Sequence, residues 1–277
     1  MKNYKINKNY YNRNSEFYEN SSWYYFNKYK NREVEKELMV CVNTLRPKNV
    51  IRILELGPGT GYLLNKLIPK VNSAIEYEGW EHSTRMAYIL RSRFNKSVNS
   101  FVIKSNSITS YNFKKRLSGP KVDFIIGSSI LHHLPDYPNL INLMASILKP
   151  GGVMYFVREP IYRDECEQSN LIKDLLSFFY EKVNNLLMCK TIRQILWPKK
   201  IKAEDATNVA ILMFKSGVSM SPFIQLEKKG FSRVLHRRYN RRASSLFSYI
   251  ENKWLSFFRK DIFGNTLFSI AVRKSDK

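Results

Sequence analysis

The chain has 277 residues, 44% hydrophobic, with a formal net charge of +23, and this length suits one large α/β core with an appended lobe. Its three cysteines lack C-x-x-C spacing, which argues against a disulfide framework or a zinc site and favours a reducing, cytoplasmic setting. The sequence contains neither a secretory signal nor an uncharged apolar run of about 18 residues, so no transmembrane helix is expected.

The N-terminal region changes character along its length. Residues 1–32 are rich in Asn, Tyr and Lys, which predicts a disordered start. Residues 21–45 then follow a helical pattern, with Ser21 or Ser22 as the expected N-cap.

From residue 50 onward, apolar runs alternate with amphipathic stretches. This alternation predicts βαβ units and a parallel sheet. The predicted strands are 50–56, 74–81, 100–105, 122–129 and 152–159, and the predicted helices between them are 60–68, 84–94 and 137–149.

The remaining third of the chain departs from this alternation. The stretch 161–230 is too long for one crossover, and the helical spacing in 171–197 predicts a helical insertion or lid. Two late apolar runs, 232–239 and 266–274, are predicted to form an antiparallel pair at the sheet edge. The expected organisation is a tail and helical cover (1–45), a core (46–160), the insertion (161–230) and a C-terminal strand pair (231–277).

The stretch ILELGPGTG (53–61) predicts a ligand-binding turn after a buried strand. Its glycines (Gly57, Gly59 and Gly61) let the backbone approach a ligand without Cβ clashes. The carboxylate of Glu55, just before the turn, would repel a pyrophosphate but suits a cationic ligand.

These residues resemble the first motif of class I S-adenosylmethionine-dependent methyltransferases, and later blocks resemble that family in order: KSNSIT, VDFIIGSSILHHL and LKPGGVMYFV. The resemblance implies a Rossmann-like, seven-stranded, mainly parallel sheet with helices on both faces. It also implies S-adenosylmethionine as cofactor, with Glu81 on the ribose hydroxyls and His82 beside the adenine. Asn106 replaces the usual acid near the adenine amine. The full expected set is Glu55, Gly57, Gly59, Gly61, Glu81, His82, Asn106, Ser107 and Ser128.

The residues after the fourth predicted strand narrow the choice of methyl acceptor. No [DNS]-P-P-[YF] block and no cysteine lies there, which disfavours common nucleic-base chemistries. Instead His132 and His133 come directly after the strand, and Glu159 closes the next one, so a histidine general base oriented by a carboxylate is predicted. This arrangement is similar to that of small-molecule and sugar O-methyltransferases of natural-product or glycan biosynthesis. No metal site is expected.

Two alternatives stay open. The basic surface suits an RNA or protein methyltransferase. The second alternative is a methyltransferase-like binding subunit that has no catalytic activity.

The positive charge leaves the partner undecided, because lysine enrichment is also typical of an AT-rich genome. The five arginines of 232–244 suit a phosphorylated or nucleotide-linked acceptor, or form a solvated rim. Amphipathic segments near 171–200 and 246–260 suit either an anionic membrane surface or core packing.

Overall fold

The computed structural model describes residues 8–13, 15, 28–45, 49–105, 107–134, 136–160, 218–240 and 266–276. Four expectations fall outside these residues: the Ser21 or Ser22 cap, the helix in 171–197, the amphipathic segment near 246–260, and Asn106.

Seven strands and seven α-helices are described. The strands are β1 (Val50–Leu56), β2 (Ala74–Trp80), β3 (Ser100–Lys104), β4 (Val122–Ser128), β5 (Leu148–Pro160), β6 (Phe231–Asn240) and β7 (Thr266–Lys274). The helices are α1 (residues 8–13), α2 (Lys28–Thr44), α3 (Tyr62–Leu67), α4 (Thr84–Phe94), α5 (Ser110–Arg116), α6 (Tyr137–Ile147) and α7 (Ser221–Lys228). Short 3₁₀ turns occupy Ile68–Lys70 and Leu131–His133.

The strands form one sheet in the order β3-β2-β1-β4-β5-β7-β6. Strands β1 to β5 pair in parallel, and β7 is antiparallel to both β5 and β6. The expected Rossmann-like sheet with an antiparallel pair at its edge is therefore confirmed. The strand order reverses between β1 and β4, and ligands of open α/β sheets bind at such a switch point, beyond the carboxyl ends of the strands.

Burial on both sheet faces explains why the central strands read as nearly continuous apolar runs. Along β1, Leu54 and Leu56 face the core that contains α5, α6 and α7, while Ile51 and Ile53 face the core that contains α2, α3 and α4. The strand β4 is buried at every position from Val122 to Gly127. The middle of the sheet is thus a rigid base for the loops at its carboxyl edge.

Three details differ from the sequence-based expectations. Residues 8–13 are helical, so the predicted disorder of the chain start was wrong for this part. The strand β5 begins at Leu148 rather than 152, because Val122 of β4 pairs with Leu148 ahead of a bulge. The helix α5 was not predicted; Thr109 caps it by accepting a hydrogen bond from the Asn112 backbone N–H at 3.2 Å.

Within the described ranges, no helix has the length and apolar character needed to cross a membrane.

Candidate active site

The glycine turn at the end of β1 has three glycines in left-handed conformations, and each serves a different purpose. Gly57, Gly59 and Gly61 have φ of 58°, 58° and 98°. A Cβ on Gly61 would lie 2.3 Å from Phe94 Cε2, and one on Gly57 would lie 2.6 Å from Ile130 Cδ1. A Cβ on Gly59 would meet nothing nearer than Met86 Sδ at 3.8 Å. Gly57 and Gly61 are therefore needed for close packing, whereas Gly59 has room for a ligand beside its backbone; we call this space the cradle.

Glu81 joins this turn to the end of β2. One carboxylate oxygen accepts a hydrogen bond from the Gly59 N–H at 2.9 Å, and the other accepts from the Ser83 N–H at 2.8 Å. The side chain is buried, and burial raises its pKa to about 7. The carboxylate is thereby held beside the open cradle, at the place where the resemblance predicts an acceptor for ribose hydroxyls.

Glu55 is buried near the end of β1, against Tyr77 of β2. Its carboxyl group is buried and accepts a hydrogen bond from the Tyr77 hydroxyl at 2.7 Å. Burial raises the pKa of Glu55 to about 8, with the nearby Glu81 carboxylate adding to the shift. In this environment Glu55 is largely protonated at neutral pH. A protonated Glu55 carries no negative charge to attract a cationic ligand, so its role in binding such a ligand stays a prediction.

The predicted adenine side of the site lies at the ends of β2 and β3. His82 is half-buried, with Nδ1 3.6 Å from Glu81 Oε1, and burial together with the charge of Lys8 lowers its pKa to about 4. It is therefore an uncharged ring at neutral pH. Ser107 is half-buried and its carbonyl accepts a hydrogen bond from Asn112 Nδ2 at 2.9 Å. Ser128, half-buried, ends β4.

His132 and Glu159 meet as predicted at the neighbouring ends of β4 and β5. His132 Nδ1 lies 2.9 Å from Glu159 Oε2, and both side chains are buried. Glu159 also accepts hydrogen bonds from three successive backbone N–H groups, those of Ile130 at 2.7 Å, Leu131 at 3.0 Å and His132 at 3.3 Å. The carboxylate consequently orients the imidazole and also holds the 3₁₀ turn that carries it.

His133 sits beside this pair. Its ring centroid is 4.2 Å from that of His132. Burial keeps the pKa of His133 well below its usual value. The imidazole is therefore neutral at physiological pH, and protonating it is unfavourable.

Sequence reasoning missed a pair of strained residues at the same edge. Ser129 and Arg158 are the non-glycine residues with positive φ among those described, at 52° and 63°. The Ser129 hydroxyl donates to the Arg158 carbonyl at 3.0 Å, so the two strained positions are tied together. The buried Arg158 side chain donates to the Tyr62 hydroxyl at 2.7 Å, which joins β5 to the start of α3. Such strain costs about 1–3 kcal/mol per residue and concentrates at functional sites; no sequence pattern signals it.

Sequence reasoning also missed two N-terminal residues. Tyr11 and Asn12 of α1 reach the ends of β2 and β4. Low-complexity composition around Tyr11 masked any signal.

The arginines of the late strand β6 face acidic partners where they are described. Arg233 Nε lies 2.5 Å from Glu227 Oε1, and Arg237 pairs with Glu33 of α2. Both ion pairs reduce the charge available to a phosphorylated ligand, so the predicted anion site stays a prediction. Among the described residues, no group of three His, Cys, Asp or Glu side chains could hold a metal ion.

S-adenosylmethionine fits the residues at this edge of the sheet. The open side of Gly59 provides space, and the buried Glu81 carboxylate beside it provides an acceptor for hydroxyl donors. The uncharged His82 ring follows directly in the chain.

Comparisons with known proteins show the family and the fold of the chain. Residues 26–197 match a family model described as a methyltransferase domain. A provisionally named polyketide synthase 14 of Dictyostelium discoideum is 32% identical over 132 residues, covering 43% of this chain and 4% of that protein. A provisionally named polyketide synthase 41 of the same organism is 24% identical over 262 residues, covering 84% of this chain and 10% of that protein. The chain thus spans a tenth or less of the length of these relatives.

A solved structure from Galdieria sulphuraria, provisionally named a sarcosine dimethylglycine methyltransferase, shares the fold. Its TM-score is 0.50 at 16% identity, with 90% of this chain and 86% of that chain covered.

Proposed function

Since the chain belongs to the methyltransferase domain family, matched over residues 26–197, it is an S-adenosylmethionine-dependent methyltransferase, and we propose that it methylates a hydroxyl oxygen of a small molecule or sugar. The observation that carries the proposal is the 2.9 Å contact between His132 Nδ1 and Glu159 Oε2, which supplies a base for the proton of the acceptor. A hydroxyl must lose its proton during methylation, and this pair has the arrangement of a general base.

Cofactor binding in this proposal uses the edge formed by β1 and β2. S-adenosylmethionine supplies an electrophilic methyl group on a positively charged sulfur. Gly59 leaves the backbone free of a Cβ atom where the ligand approaches, and Glu81 accepts hydrogen bonds from the ribose hydroxyls. His82 and Ser107 border the adenine, and Ser128 lies near the amino-acid end.

Proton removal falls to His132. Its Nδ1–H donates to Glu159, so the lone pair lies on Nε2, which is the atom that accepts the proton of the acceptor hydroxyl. The Glu159 carboxylate then stabilises the imidazolium that forms. Three backbone N–H groups fix Glu159, so the base is oriented before the acceptor arrives.

A carbon acceptor is the second candidate, and the relatives favour it. Both Dictyostelium proteins are named as polyketide synthases, and polyketide chains contain methylene groups between two carbonyls. Such a carbon is acidic enough for a neutral imidazole to deprotonate, so the same His132 and Glu159 pair would serve.

Transfer of a trideuterated methyl group tests both candidates. The full chain is incubated with trideuteromethyl S-adenosylmethionine and a panel of phenols, sugars and β-ketothioesters, and the labelled products are located by mass spectrometry and NMR. We expect an O-linked CD₃ group, with turnover about 10²–10⁴-fold lower in H132A. The variant K36A, at an exposed position of α2, is the control.

The outcomes separate the possibilities. A C-linked label would replace the oxygen proposal by the carbon one. Equal turnover in wild type and H132A would refute the role of His132 as the base. Retained cofactor binding without transfer to any acceptor in the panel would refute both acceptor classes while leaving the cofactor site intact.

A further inference from the structure

A cavity of about 280 Å³ opens beside α5, and we call it the α5 cavity. Its lining comes from β2, the last residue of β3, α5 and the turn that follows α5. None of the residues assigned to cofactor binding or to proton removal is part of this lining. The cavity is therefore separate from the cofactor cradle, although the Lys104 carbonyl links the two by accepting a hydrogen bond from the Glu81 backbone N–H at 3.0 Å.

The α5 cavity has more cationic than anionic side chains. Lys104, Lys115 and Arg116 line it, together with the single carboxylate of Glu78. One oxygen of that carboxylate lies 2.7 Å from Lys104 Nζ and accepts a hydrogen bond from Trp80 Nε1 at 2.8 Å. The other oxygen accepts from Arg116 Nε at 2.9 Å. Because Glu78 already has three donors and carries one negative charge, positive charge is left over in the cavity.

The guanidinium of Arg116 reaches the wall of the cavity with an N–H group that lacks an acceptor. The side chain is 5% exposed, and Nη1 is buried without a hydrogen-bond partner among the described residues. Gly119, which also lines the cavity, makes room for this atom, since a Cβ there would lie 2.6 Å from Nη1. A buried N–H group without an acceptor is unfavourable, so an anion at this wall would supply what the fold lacks.

The chain around the cavity is free of acidic residues. No Asp or Glu occurs in residues 82–121, whereas the same stretch contains nine Lys or Arg residues. The stretch forms α4, β3 and α5. An AT-rich genome enriches lysine but does not remove acids, so composition alone does not explain this imbalance. Lys114 and Lys121, which are neighbours in the chain of lining residues, are exposed and add to the field that attracts an anion.

A phosphate monoester matches the cavity better than a carboxylate does. At neutral pH it carries a charge of about −1.5 to −2 and three acceptor oxygens, so one phosphate meets more of the surplus positive charge than one carboxylate. The planar guanidinium of an arginine also binds phosphate through paired N–H groups. Ligand pockets begin at about 300 Å³, and a volume of about 280 Å³ therefore suits a small molecule.

We propose that the α5 cavity binds the phosphate group of a small phosphate monoester. Lys115 and Arg116 contact the phosphate oxygens, and Lys104 contributes positive charge while it stays paired with Glu78. The site is distinct from the cofactor cradle, so this inference rests neither on the identity of the methyl acceptor nor on the base that removes its proton.

Calorimetric titration of phenyl phosphate into the full chain, with and without saturating S-adenosylhomocysteine, tests this site. We expect binding in wild type under both conditions, and at least about tenfold weaker binding in K115A and in R116K, because each loses a charged hydrogen bond to the phosphate. R116K keeps a positive charge for Glu78 but loses the planar guanidinium. Lys96, exposed in the turn after α4, supplies the control K96A, which removes the same charge outside the cavity and should bind like wild type.

A second probe separates a monoester from the diester of a nucleic-acid backbone. Dimethyl phosphate has one negative charge where the monoester has up to two, so it should bind more weakly than phenyl phosphate. Equal binding of the two probes would replace the monoester by a diester ligand and overturn the proposal.

The other outcomes are equally decisive. Absence of phenyl phosphate binding, or equal affinity in wild type, K115A and R116K, would overturn the site. Binding that S-adenosylhomocysteine abolishes would place the probe in the cofactor cradle instead. Equal losses of affinity in K96A and K115A would indicate general attraction by surface charge and would also overturn the cavity as the site. If the variants behave as expected while no acceptor is methylated, the phosphate site stands and only the proposed function fails.

Discussion

Two glycine-to-alanine substitutions in the same turn should have different consequences, one mainly for stability and the other mainly for cofactor affinity. Gly61 and Gly59 both have positive φ, but an alanine Cβ at Gly61 would lie 2.3 Å from Phe94 Cε2 and 2.8 Å from Leu90 Cδ1. At Gly59 the nearest atom would be Met86 Sδ at 3.8 Å. G61A should therefore lose stability, whereas G59A should keep most of its stability and lose cofactor affinity.

The expected size follows from two terms. Placing alanine in a left-handed conformation costs about 1–2 kcal/mol, which both variants share. Overpacking against Phe94 and Leu90 adds about 1–3 kcal/mol in G61A alone. At about 2–4 °C per kcal/mol for a domain of this size, G61A should melt about 4–20 °C below wild type and G59A about 2–8 °C below it.

Thermal melting and calorimetric titration with S-adenosylhomocysteine measure the two effects. G59A should bind at least about tenfold more weakly than wild type, because its methyl group occupies the open cradle. Melting temperatures that fall equally in both variants would contradict the packing argument. Unchanged affinity in G59A would contradict the position of the cradle.

Substitutions at three buried acids give the remaining predictions. Removing the Glu159 carboxylate in E159A leaves three backbone N–H groups and His132 Nδ1 without an acceptor, so we expect a loss of about 3–5 kcal/mol in denaturant melts, and E159Q should lose less. Burial raises the pKa of Glu81 to about 7, so the fraction of Glu81 that is ionised and able to accept hydrogen bonds increases with pH. Cofactor affinity in calorimetric titrations should therefore rise between pH 6 and 8, and the rise should vanish in E81Q. The pKa of Glu55 is raised to about 8, so the folded state binds its proton more tightly than the unfolded state. The free energy of unfolding of the unliganded protein should therefore fall by about 3–5 kcal/mol from pH 4.5 to 8. The variant E55Q should lack that part of the fall.

Local sequence patterns determined much of the sheet. The apolar run of β1 and the helical spacing of α4 matched the observed bounds, because alternation and helical periodicity are properties of neighbouring residues. The prediction of a ligand-binding turn at the glycines likewise needed only neighbouring residues. Residues 110–116 escaped prediction because a helix of seven residues with one buried apolar residue, Phe113, has too little periodicity to recognise.

Some contacts of the candidate site could be predicted from the sequence and others could not. That His132 and Glu159 would be near each other followed from their positions at neighbouring strand ends. The three backbone N–H groups that also bind Glu159 could not be foreseen, because they depend on the 3₁₀ turn packing against β5. The same holds for Ser129 and Arg158, whose left-handed backbones only the assembled edge imposes.

The sequence by itself determined the fold class and the cofactor, because these depend on ordered local motifs, and it predicted the sheet edge where we propose that the chemistry occurs. Only the tertiary structure decided that Glu55 is buried against the Tyr77 hydroxyl and that Tyr11 contacts residues at the ends of β2 and β4. The physical reason is distance along the chain: Tyr11 and His133 are separated by 122 residues, and only packing of the whole sheet brings them together.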